Sequence, residues 1–117
     1  MIALHEPSFD ETDIEFVIST LKSGWVSTGG KFVGEFEQEL AKYTGYKYGV
    51  SICNGTIGLS LSIETLKRMR NINGAFEVLV PNLSFIATAN AVIHAGGTPH
   101  TVDSSSQSLN MLSLIHI

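Results

Sequence analysis

The chain has 117 residues, 44% of them hydrophobic and 15% charged, the length and balance of about one globular domain able to bury a core. Its formal charge of -4 and pI near 5.4 exclude the basic footprint of a nucleic-acid binder or of a protein drawn to an anionic membrane surface. A single cysteine, Cys53, excludes an internal disulfide, and His5, His94, His100 and His116 show no ligand spacing, so no metal is expected. The opening MIALHEPSFDETD has no basic region followed by an apolar one, and no run of ~18 apolar residues occurs, so a cytoplasmic protein without a membrane span is expected.

Ser8 with Glu11 is a capping-box pattern, and Ile14, Val17, Ile18 and Leu21 then recur at helical spacing up to a stop at Gly24. Trp25 to Gly30 is a loop by composition. Val33, Phe36, Leu40 and Tyr43 mark a second amphipathic helix ended by Gly45. Tyr46 to Cys53 reads as a strand. Leu59, Leu61, Ile63 and Leu66 carry a third helix, with Arg68 and Arg70 near its C-terminal end where positive charge suits the dipole, and Asn71 to Gly74 breaks it.

Phe76 to Val80, closed by Pro81, reads as a buried strand. Ser84 to Ala95 is helical and rich in small residues (Ala87, Ala89, Ala91), a pattern suited to close packing on a sheet, and Gly96-Gly97 ends it. Thr98 to Val102 makes a further strand that stops at Asp103. Strands separated by helices, with no hairpin signals, predict an α/β architecture with a largely parallel sheet.

In open α/β sheets ligands bind beyond the carboxyl ends of the strands, and both Asn54-Gly55-Thr56 and Pro81-Asn82-Leu83-Ser84-Phe85 fall on such ends. A helix N-terminus presents unpaired N–H groups and a partial positive charge, Gly55 lets the backbone come close, and Thr56 adds a hydroxyl donor; a phosphate is the natural guest. The same residues also suit an N-cap with no ligand, and neither GxGxxG nor a P-loop lysine is present. Phe85 suits a core side chain as well as a ring-stacking platform, and Trp25 suits a plug for its own loop.

The order of these pieces resembles a known family. Gly24-Trp25-Val26-Ser27-Thr28-Gly29, Phe36-Glu37, Tyr43-Thr44-Gly45, Asn54-Gly55-Thr56, the run Pro81 to Ala91 and Val102-Asp103 are similar to the N-terminal third of the DegT/DnrJ/StrS family, over residues 2 to about 111. That family comprises pyridoxal-phosphate (PLP) aminotransferases of nucleotide sugars. The resemblance implies the N-terminal part of the large domain of the aspartate-aminotransferase-like three-layer α/β sandwich (PLP fold type I), with an incomplete sheet. It implies that Gly55, Thr56 and Ile57 hold the PLP phosphate and that Phe85 stacks on the pyridine ring. Trp25, Val26, Ser27 and Thr28 would lie near the sugar nucleotide, across a homodimer interface. Ile57-Gly58 in place of two alanine-like residues, Gly30 in place of proline and Ser84 in place of threonine depart from the family pattern.

PLP transamination needs a lysine to form a Schiff base and an acidic residue at the pyridine nitrogen, and in the family both lie beyond the end of this chain. Lys22, Lys31, Lys42, Lys47 and Lys67 match no family lysine motif, so no catalytic residue is assigned and no turnover is expected. The resemblance breaks after Met111: residues 112–117, LSLIHI, match an in-frame translation of the sequencing adapter CTGTCTCTTATACACATC, so residues 1–111 are expected to be native and the last six not. The leading expectation is an N-terminal fragment of an enzyme that moves an amino group from an amino acid, glutamate, to a keto-sugar nucleotide for surface polysaccharides. The alternatives are a small non-catalytic phospholigand module and a regulator using the aminotransferase fold.

Overall fold

The computed structural model describes residues 5–112, so all but Leu112 of the expected adapter-derived tail lies outside the described residues. The chain gathers into two compact units, up to Ser51 and from Ile52 on.

In the first unit, α1 runs Glu11–Ser23 and α2 Lys31–Thr44. The expected Ser8–Glu11 capping box is not the one formed. Asp10 is the N-cap of α1: its Oδ1 accepts from Asp13 N–H at 2.9 Å, and Asp13 Oδ2 accepts from Asp10 N–H at 3.1 Å. The spacing is the same two residues further on, where a carboxylate faces the positive end of the helix. Gly24 and Gly45, both at φ 74, end the two helices in the left-handed conformation that glycine adopts without penalty. Phe16 and Phe32 meet edge to face at 5.9 Å and tie α1 to α2.

The strand expected over Tyr46 to Cys53 is absent. A strand needs a partner, and no strand among the described residues pairs with this stretch. A side chain does part of that work: Glu37 Oε1 accepts from Ser51 N–H at 2.7 Å and from Ser51 Oγ at 2.8 Å. Gly49 passes so close to α2 that an added Cβ would fall 2.5 Å from the Glu37 carbonyl oxygen.

The second unit is ordered α3 (Gly55–Met69), β1 (Glu77–Pro81), α4 (Ile86–His94), β2 (Thr98–Val102). β1 and β2 pair in parallel, Glu77 opposite Thr98 through Pro81 opposite Val102, so β1–α4–β2 is a crossover unit as expected from the alternation of strand and helix. Asn82 N–H donates to the Val102 carbonyl at 2.8 Å and carries the ladder one step past the strand. The core is small: Val80, Ala91, Val92, Ala95 and Val102 are buried, with Ala91 and Val92 almost fully enclosed. Ala91 lets the helices approach until Ser60 Oγ of α3 reaches its carbonyl at 3.2 Å. Gly97 lies under the Phe76 ring, where a Cβ would come within 2.5 Å of Cε2. Helix α4 is shorter than expected at both ends: Phe85, at φ -63 and ψ 140, is an extended N-cap, and Ala95 is the C-cap.

Candidate cofactor site

The start of α3 is built by Asn54, which forms the N-cap that the Asn54-Gly55-Thr56 pattern suits. Its Oδ1 accepts from Ile57 N–H at 3.0 Å, and its own carbonyl accepts from Gly58 N–H at 3.1 Å. Two of the first-turn donors are therefore committed to the cap. Among the described residues the Gly55 and Thr56 N–H groups and the Thr56 hydroxyl have no protein partner. Of the three residues expected to hold a phosphate, Gly55 and Thr56 thus present free donors, whereas the Ile57 N–H is already taken.

Two glycines in this turn have different reasons. A Cβ on Gly58 would run into the Ile52 Cδ1 methyl, so the Ile57-Gly58 departure from the family pattern lets Ile52 pack on α3. A Cβ on Gly55 would meet nothing within 4 Å, and its φ is not positive, so neither crowding nor backbone geometry in the described chain requires glycine there. An anion approaching the bare backbone gives that position a use, and the donors around it fit a phosphate.

Phe85 is the N-cap of α4 at the carboxyl end of β1 and is 84% exposed. Behind it, Ser84 Oγ and Thr88 Oγ1 are hydrogen-bonded at 3.0 Å across the first turn of α4. The phosphate-type donors and the free ring therefore stand at the N-termini of two packed helices. The Ser60–Ala91 contact that joins those helices is equally deep in each. Two residues past β2, Ser104 Oγ is enclosed without a hydrogen-bond partner among the described residues; nothing in the sequence signalled it.

The expected sugar-nucleotide loop lies in the first unit. Trp25 and Val26 are 62% and 69% exposed, and with Ser27 they line a cavity of about 360 Å³ floored by Val17, Leu21 and Phe32. The Gly30 N–H donates to the Ser27 carbonyl at 3.1 Å and closes the turn. A Cβ on Gly30 would sit a tight 3.1 Å from the Trp25 carbonyl oxygen, and proline there would lose the N–H that closes the turn. Three of the lysines face carboxylates: Lys31–Glu35 at 3.7 Å, Lys42–Glu39 at 3.8 Å and Lys67–Glu64 at 3.8 Å. Among the described residues no three His, Cys, Asp or Glu side chains group as metal ligands, and no helix is long and apolar enough to cross a membrane.

The second unit is an α/β arrangement built on a parallel β–α–β crossover. The chain belongs to the DegT/DnrJ/EryC1/StrS aminotransferase family, which it matches over residues 7–114. It is 34% identical to a GDP-perosamine synthase of Caulobacter vibrioides over 110 residues, 94% of this chain and 29% of that protein. Its structure is similar to that of a Streptococcus pneumoniae protein assigned as a sugar aminotransferase, solved in a PLP form, with TM-score 0.74, 29% identity, and coverage of 94% of this chain and 27% of that one. It is also similar to an Escherichia coli GDP-4-keto-6-deoxy-D-mannose-3-dehydratase with bound hydrated PLP, with TM-score 0.81, 25% identity, and coverage of 93% and 28%. The chain thus spans under a third of the length of each of these proteins, and the family is PLP-dependent.

Proposed function

We propose that the chain is the N-terminal part of a PLP-dependent aminotransferase that moves an amino group from an amino acid, glutamate, to a keto-sugar nucleotide used for surface polysaccharide. The observation that carries this reading is the set of uncommitted donors at Gly55 and Thr56 together with the exposed Phe85 ring. Gly55 and Thr56 would bind the cofactor's phosphate through two N–H groups and one hydroxyl, aided by the α3 dipole. Phe85 would lie against the pyridine face and exclude water from it. PLP supplies the electron sink for amino transfer when bound. Trp25, Val26, Ser27 and Thr28 would border the sugar nucleotide at a homodimer interface of a cytoplasmic enzyme. The lysine that receives the cofactor would belong to the remainder of the enzyme, so residues 1–117 would not turn over.

The likeness to the Escherichia coli dehydratase favours a second reading, removal of a sugar hydroxyl on the same scaffold. The complete reading frame decides between them. Expressed with PLP, glutamate and a GDP-4-keto-6-deoxy sugar, it should yield an amino sugar and 2-oxoglutarate. A deoxy product with no amino sugar would establish the second reading, and an enzyme that retains no PLP would overturn both.

A further inference from the structure

The dipeptide Asn-Gly occurs twice in the second compact unit, at Asn54-Gly55 and Asn73-Gly74. In such a pair the glycine nitrogen can attack the asparagine Cγ because no Cβ blocks the approach. A bond forms between the glycine nitrogen and Cγ, the bond from Cγ to Nδ2 breaks, and ammonia leaves with the proton of the glycine amide. Water then opens the resulting succinimide at either carbonyl and leaves aspartate or isoaspartate. Water is the sole co-reactant.

The two asparagines stand in opposite surroundings. Asn54 Oδ1 is held by the Ile57 N–H at 3.0 Å, its Nδ2 donates to Cys53 Sγ at 3.6 Å, and its carbonyl holds the Gly58 N–H at 3.1 Å, with the backbone extended at ψ 166. Ring closure there requires the side chain to leave the cap and the peptide to turn, which undoes the first turn of α3. Asn73 lies in the exposed stretch Asn71–Ala75 between α3 and β1. Among the described residues neither Asn73 nor Gly74 makes a hydrogen bond, and a Cβ on Gly74 would meet nothing within 4 Å.

We propose that Asn73 is a site of spontaneous deamidation in this chain and that Asn54, within the same dipeptide, is spared by its capping bonds. The product adds one negative charge to a chain that already carries -4, at the entry to β1. The inference is independent of the cofactor reading.

The full-length enzyme, incubated in mildly alkaline buffer with and without guanidinium, digested and analysed by mass spectrometry for aspartate and isoaspartate at each position, tests this. Breaking a cap worth about 1 kcal/mol corresponds to a factor of about five. Asn73 should therefore convert at least that much faster than Asn54 in native buffer, with the ratio collapsing toward one in guanidinium. A smaller native ratio, or one that guanidinium leaves unchanged, overturns the proposal. Gly74→Ala, whose Cβ enters open space, should nearly stop conversion at Asn73 with an unchanged circular dichroism spectrum; conversion that persists overturns it as well.

Discussion

Replacing Thr56 with alanine in the full-length enzyme removes one of the uncommitted donors at the start of α3 and leaves the Gly55 and Thr56 N–H groups in place. A hydrogen bond to a charged group is worth about 1.5–3 kcal/mol, so PLP should be retained roughly 10- to 150-fold less tightly. Asn54→Ala separates capping from binding. It removes the acceptor that occupies the Ile57 N–H, which costs about 1 kcal/mol of stability but frees that donor for the anion. Asn54→Ala should therefore lower the melting temperature and weaken PLP retention less than Thr56→Ala does. Absorbance titration of the apoenzyme with PLP, paired with thermal melts, measures both. Thr56→Ala titrating like the parent, or Asn54→Ala losing more affinity than Thr56→Ala, would refute the phosphate assignment.

Phe85→Ala should weaken PLP retention while Phe85→Trp preserves it, because the 84% exposed ring contributes a stacking face and little packing in its own unit; equal titration curves for the two variants would remove Phe85 from the site. Gly97→Ala forces a Cβ into the Phe76 ring and should cost about 1–3 kcal/mol by overpacking, read as a lower denaturation midpoint; an unchanged midpoint would show that the ring yields freely. The Glu37 carboxyl is held below the usual carboxylate range by the Ser51 N–H and then by the Ser51 hydroxyl. A lowered native pKa makes its stabilisation fully present above the ordinary carboxylate pKa and lost as the pH falls through the lowered one. Parent and Glu37→Gln should therefore converge in stability under acid and separate toward neutral pH, and a constant gap across that range would contradict this.

Local physics was legible in the sequence. Gly45 as a helix stop, the strand Thr98–Val102, the small residues of α4 and the parallel pairing implied by alternating strand and helix follow from propensity and pattern, which act within a few residues of one another. The quoted motifs also sufficed for the family, because their order carries more information than any one of them. Other features depend on groups the pattern does not bring together. Two capping boxes of equal spacing compete before α1, and the one that sets two carboxylates at the dipole, Asp10 with Asp13, formed instead of the one that sets a single carboxylate there. The run Tyr46 to Cys53 has strand-like residues, but a ladder requires a second chain segment, and Glu37 is what reaches Ser51. At the start of α3 the residue types suited either an anion site or a ligand-free N-cap. The fold decided which donors remain: Asn54 turns back on the Ile57 N–H, Ile52 claims the space over Gly58, and the Gly55 and Thr56 N–H groups are left without a protein partner among the described residues.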